Sequence, residues 1–168
     1  DVEPPIVSSV LPSNGSVIGK AYNTVSAFLT DNNALDSVII EYKINDAEDY
    51  SVLKQITRIS ARSYTAKATM PIDTLVDGDK IHVRVHATDI SGFVSEYSAV
   101  YTYCVDAVAP SVSNPNATIS GNKATITWSG AGETDVAGYK VYRVAEDGSE
   151  KYAGSRAYST ANSYSIND

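Results

Sequence analysis

From Ile81 to Thr88 the side chains alternate without a fault: Ile81, Val83, Val85 and Ala87 against His82, Arg84, His86 and Thr88. A period of two puts the first set on one face of a strand and the second on the other. Such a strand must bury its apolar face against a second layer. The pattern recurs along the first two thirds of the chain. Val25, Ala27 and Leu29 share a face within residues 21–30, and Asp31-Asn32-Asn33 is expected to break that strand. Val38, Ile40, Tyr42 and Ile44 point inward within residues 37–44, with Glu41 and Lys43 outward. Tyr64, Ala66, Ala68 and Met70 repeat the alternation until Pro71, which cannot donate to a central ladder. Residues 16–18 and 50–59 read as further strands, the latter without a clear register. Asp77-Gly78-Asp79 and Ser91-Gly92 are turn signals, and residues 96–105 are expected to close the unit. No stretch sustains a helical period beyond about two turns. Twelve Tyr, with many Val, Thr and Ser, supply a strand-forming vocabulary.

The pattern then restarts. Val105-Asp106-Ala107-Val108-Ala109-Pro110 reads as a linker, and Asp106-Ala107-Val108-Ala109-Pro110-Ser111-Val112 echoes Asp1-Val2-Glu3-Pro4-Pro5-Ile6-Val7. Residues 117–120 and 123–129 flank Gly121-Asn122, a hairpin signal, and Ala124, Ile126 and Trp128 share a face. Residues 138–144 alternate Tyr139, Val141 and Arg143 against Lys140, Tyr142 and Val144, so both faces carry bulk. Short strands are expected at 151–153 and 163–166.

Composition removes several function classes. A net charge of −7 opposes nucleic-acid binding, which needs a basic face. No apolar run approaches the roughly 20 residues of a membrane helix. The opening Asp1-Val2-Glu3-Pro4-Pro5 reads as a linker rather than a signal peptide. The single cysteine, Cys104, excludes an intrachain disulfide and any multi-cysteine metal site.

Residues 1–106 resemble a bacterial Ig-like module. The resemblance rests on Pro4-Pro5, Leu11-Pro12-Ser13-Asn14-Gly15-Ser16, Leu29-Thr30-Asp31-Asn32, Leu75-Val76-Asp77-Gly78-Asp79-Lys80-Ile81 and Ala87-Thr88-Asp89-Ile90-Ser91-Gly92. Residues 107–168 resemble part of a fibronectin type III module, through Ala124-Thr125-Ile126-Thr127-Trp128 and Val136-Ala137-Gly138-Tyr139-Lys140-Val141-Tyr142-Arg143. The fold expected is all-β, two tandem immunoglobulin-like and fibronectin type III-like β-sandwiches, the second lacking its last two strands. The face around Trp128 should then lie open. Either the sequence stops inside the module, or another chain supplies strands by β-augmentation.

The resemblance implies a non-catalytic spacer or presentation module of a multidomain bacterial surface or secreted protein, located extracellularly or on the cell surface. Its partners would be neighbouring domains of the same polypeptide. The alternative is an adhesin-type module binding carbohydrate or a host surface protein. No nucleic acid and no membrane insertion are expected.

Candidate sites are few. In a sandwich the loop after the second strand and the loop before the last lie at the same pole as the amino terminus. Asp31 (with Asp36) and Asp89 should therefore gather near Asp1 and Glu3. Asp106 should likewise lie near Asp135 and Glu133 at the junction. Carboxylates so grouped suit a structural Ca²⁺, and no other cofactor is expected. Tyr22, Phe28 and Tyr142 face away from the inward sets and could form a carbohydrate platform. His82 and His86 lie about 13 Å apart on a strand, too far to share one metal. His86, Asp89 and Ser91 come from one local strand and turn, whereas a triad gathers distant segments, so catalysis is not expected.

Overall fold

The computed structural model describes residues 2–130, 132, 136–159 and 161–167. The chain divides into two compact units, Asp1–Val108 and Ala109–Asp168. Among the described residues every regular element is a strand.

Unit 1 contains β1 (Ile6–Leu11), β2 (Val17–Ile18), β3 (Thr24–Ile44), β4 (Ser51–Thr69), β5 (Lys80–Asp89) and β6 (Tyr101–Val105). The order is β1-β3-β5-β6-β2, with β4 also paired to β3. β1 pairs only with the first part of β3, residues 26–30, and β5 only with the second, residues 35–44. β4 follows β3 along both parts. The β3–β4 ribbon therefore turns a corner and contributes to both layers of a sandwich. The core lies between the layers. Val25, Ala27, Leu29, Ala66 and Ala68 face Val38, Ile40, Ile81, Val83, Val85, Ala87, Tyr103 and Val105, all buried. Each large aliphatic side chain so buried contributes about 1.5–3 kcal/mol relative to exposure.

The corner corrects the sequence reading. Asp31-Asn32-Asn33 does not end the strand, because β3 runs through it with register shifts between Thr30 and Leu35 and between Leu35 and Ser37. The Asp31 Oδ2 accepts the Asn33 N–H at 3.0 Å, a local turn that bulges the strand. Leu35, fully buried, anchors the bend. On β4 the same corner puts Arg58 (φ 61°) and Ser60 (φ 48°) in left-handed backbone. The two strands expected at 50–59 and 64–70 are consequently one.

The closing strand is also shorter than expected. Ladder pairing starts at Tyr101 rather than at residue 96. Ser95 N donates to the Ala87 carbonyl (2.8 Å) while Ala87 N donates to the Ser95 hydroxyl (2.9 Å). Ser98 repeats the exchange with Val85, at 2.8 and 3.0 Å. Two serine hydroxyls replace ladder carbonyls, and their spacing of three is incompatible with a regular strand.

Unit 2 contains β7 (Ser113–Ser120), β8 (Lys123–Ser129), β9 (Gly138–Val144), β10 (Glu150–Ala157) and β11 (Ala161–Asn167). They form a three-stranded sheet, β11-β8-β7, and a two-stranded one, β10-β9. The β7–β8 hairpin turns at Gly121, whose φ of 57° needs no Cβ penalty there. β7, β10 and β11 run longer than their sequence signals, because pairing with a neighbour recruits polar flanks that carry no apolar pattern. Between the sheets Trp128 meets Tyr139 edge-on at 5.4 Å. The Tyr164 hydroxyl donates to the Ala153 carbonyl at 2.7 Å, linking β11 to β10.

Candidate functional site

The pole of unit 1 brings its three expected segments together. The Glu3 carboxylate accepts the Asn32 amide at 3.1 Å, and Asn33 Nδ2 donates to the Ser91 hydroxyl at 3.3 Å. The Ile90 N–H donates to the Ala34 carbonyl at 2.9 Å. At this pole Asp89 is 1% exposed. Its Oδ1 accepts the N–H groups of Ser91 and Phe93, both at 2.8 Å, and so shapes the turn after β5. Asp31 shapes the β3 corner in the same manner. Each carboxylate keeps one buried oxygen without a protein partner, Asp31 Oδ1 and Asp89 Oδ2. Among the described residues no three His, Cys, Asp or Glu side chains converge to hold a metal ion. Asp1, Glu133 and Asp135 lie outside the described residues. Asp106 lies at the exit of unit 1, where its N–H donates to the Ile18 carbonyl at 2.8 Å and its Oδ1 accepts the Val108 N–H at 3.3 Å.

Of the aromatic residues expected to form a platform, Tyr22 and Phe28 belong to unit 1 and Tyr142 to unit 2. Tyr22 is 79% exposed beside the Gly19–Tyr22 bridge, and Phe28 is half-buried on β3 opposite Ser9 and Thr65. Tyr142, 46% exposed, belongs to unit 2 and meets Tyr152 edge-on at 5.7 Å.

A cluster of charged and aromatic side chains lies on the outer face of β3 and β5 in unit 1. The Arg84 guanidinium sits 3.9 Å from the Tyr50 ring centre and 4.0 Å from that of Tyr97. Arg84 Nε donates to Glu41 Oε2 at 2.8 Å across the β3–β5 pair. Lys43 lies over the same Tyr50 ring, with its Nζ 5.3 Å from the centre. His86 packs on Tyr97 at 4.6 Å, and burial there holds its imidazole below the usual histidine range; Glu41 opposes that shift and Arg84 adds to it. Alternation puts Glu41, Arg84 and His86 on one outer face. It gives no sign that Tyr50 and Tyr97, from irregular segments, close over Arg84.

A second polar joint ties the turn before β5. Asp79 accepts the Asn45 amide and the Val76 N–H, both at 2.9 Å, and Asn45 Oδ1 accepts the Lys80 N–H at 2.8 Å. These bonds, Asn45 first, hold the Asp79 carboxyl below its ordinary value.

In unit 2 the expected open face is partly closed. Trp128 is only 6% exposed, because Tyr139 covers it. An apolar groove nevertheless runs beside β9, with lining from Ile126, Trp128, Tyr139, Val141 and Tyr142.

No protein-family model matches the chain, and no curated protein matches it. Among solved structures it is similar to the chicken CNTN1 FN1-FN3 domains, with a TM-score of 0.57 and 13% sequence identity. The match covers 98% of this chain, which spans only 55% of that one. At that identity the likeness establishes the fold: an all-β fibronectin type III and Ig-like β-sandwich. Among the described residues no helix is long and apolar enough to cross a membrane.

Proposed function

We propose that this chain is a non-catalytic spacer or presentation module of a multidomain bacterial surface or secreted protein, built of two sandwiches in tandem. The observation that carries the reading is how unit 1 uses its polar side chains. Asp89, Asp79, Ser95 and Ser98 are spent on backbone N–H groups of adjoining loops and strands. Arg84 is spent on Glu41 and two tyrosines. Side chains consumed in this way stiffen loops and edges, which is what a part that sets distance and orientation needs. The partners of such a module are the neighbouring domains of its own polypeptide.

The second reading is an adhesin-type module for carbohydrate or a host surface protein. It is favoured by the exposed Tyr142–Tyr152 pair, since an aromatic edge pair on an outer sheet face offers a ring for stacking. A glycan array separates the two. The spacer reading expects signal no higher than that of an unrelated sandwich. Specific binding that Tyr142→Ala or Tyr152→Ala abolishes overturns it.

A further inference from the structure

β5 pairs with β6 only from Lys80 to Val83. Beyond Val83 the edge of β5 is covered by residues 94–100, an irregular strap that joins a ladder only at the Thr88–Val94 bridge. Two serines hold the strap down. Ser95 N–H donates to the Ala87 carbonyl at 2.8 Å and the Ser95 hydroxyl accepts the Ala87 N–H at 2.9 Å. Ser98 makes the same exchange with Val85, at 2.8 and 3.0 Å. Apolar burial adds little, because Val94, Tyr97 and Val100 are each about half exposed. Segments with few buried apolar contacts are the first to open locally.

Tyr97 is the strap's aromatic anchor. Its ring centre lies 4.0 Å from the Arg84 guanidinium and 4.6 Å from the His86 ring centre. Three groups that carry or exchange charge face His86: Glu41 from β3, Arg84 from β5 itself and Tyr97 from the strap. Ile39, opposite His86 in the β3–β5 pair, carries no charge. Glu41 is already engaged, since it accepts Arg84 Nε at 2.8 Å. A proton on His86 therefore sets a second cation beside Arg84, under a ring that partly shields it from water, with one carboxylate to serve both.

We propose that residues 94–100 form a strap that opens reversibly when His86 takes up a proton, baring the edge of β5 while the rest of unit 1 stays folded. Opening lets water reach the imidazolium and lifts Tyr97 from both cations. The N–H groups of Val85 and Ala87 lose their serine acceptors, and a strand edge is exposed. The closed state sets the direction. Burial first, with Arg84 adding and Glu41 opposing, makes the imidazole harder to protonate while Tyr97 covers it. The open state takes the proton more readily, so acid draws the equilibrium toward it.

Amide hydrogen exchange on the 168-residue chain tests this, at pH 7.5 and pH 5.5, with rates corrected for the intrinsic effect of pH. The reporters are the amides of Val85, Ala87, Ser95 and Ser98, compared with those of β3 residues 38–44. The four reporters should exchange faster than the β3 amides and should not respond to low urea, the mark of a local opening. Their protection should fall by about three- to tenfold at the lower pH, the range open to a histidine that titrates near 6.5 once uncovered. His86→Gln should abolish that fall. His82→Gln should preserve it, because His82 is tied instead to Thr102 of β6 at 2.9 Å. Tyr97→Ala should lower protection at both pH values and remove the difference between them. Reporters that follow the β3 amides through urea overturn the proposal, since opening is then global. So does protection that holds or rises in acid, or a fall that persists in His86→Gln.

Discussion

The Tyr103 hydroxyl donates to the Pro12 carbonyl oxygen at 2.9 Å, a bond between residues 91 positions apart in the chain. Tyr103 is fully buried in β6, and Pro12 follows β1 directly. The bond therefore ties the first strand of unit 1 to the last. Burial, with Tyr101 adding to it, pushes the phenol above its ordinary range, so it stays a donor. Tyr103→Phe should destabilise unit 1 by about 1–2 kcal/mol, because a carbonyl loses its donor while the ring still fills its space. Urea denaturation checks this: a lower midpoint with an unchanged slope is the expected outcome.

Arg84 is held by two rings and one carboxylate. Arg84→Ala should cost about 1–3 kcal/mol, from lost stacking, packing and ion pairing together. Arg84→Lys should recover less than half of that, since an ammonium does not stack as a planar guanidinium does. A double-mutant cycle with Glu41→Gln isolates the pair, for which about 0.5–1 kcal/mol is expected at this partial exposure.

The pH dependence of unit 1 should show two windows. The folded pKa of His86 lies below its unfolded value of about 6.5. The unfolded chain therefore binds the proton first, and stability falls as pH drops through about 6.5 toward the folded value. Asp79 behaves likewise at lower pH: its contribution is present above the unfolded carboxylate pKa and is lost as pH falls through the depressed folded one. Thermal melts from pH 8 to pH 3 should show both declines. His86→Gln should flatten the upper one and leave the lower in place.

Core and close-contact positions make a matched pair. Ile40 is completely buried between the layers, and Ile40→Ala should cost about 2–5 kcal/mol through lost burial and a residual cavity. In unit 2 a Cβ on Gly138 would lie 2.5 Å from the Arg156 carbonyl oxygen, a backbone atom that moves only with β10. Gly138→Ala should therefore cost about 1–3 kcal/mol by overpacking. Trp128 fluorescence, confined to unit 2, should report the second change and be insensitive to the first.

Local pattern carried much of the fold. The alternation in residues 81–88 placed Ile81, Val83, Val85 and Ala87 in the core, and all four are buried. The failures share one cause: contacts from elsewhere in the chain. Asp31-Asn32-Asn33 reads locally as a break, yet pairing with β4 and β5 on its two sides carries the strand through it. Ser95 and Ser98 read as strand residues, yet their hydroxyls take ladder bonds from β5 and displace the regular pairing. Carboxylate positions were legible as loop residues. Their partners were not, because the Asx turns of Asp31 and Asp89 consume local N–H groups in competition with any convergence of charge.

What the sequence alone determined is the class: period-two alternation with turn residues between the runs leaves only strands that must bury one face, and a restart after residue 106 that implies a second such set. What the tertiary structure decided is where each strand changes layer and which side chains meet across strands. Tyr50 and Tyr97 close over Arg84, and Tyr139 meets Trp128 edge-on between the sheets of unit 2. Those relationships join residues distant in the chain, so a pattern that repeats every two residues carries no record of them.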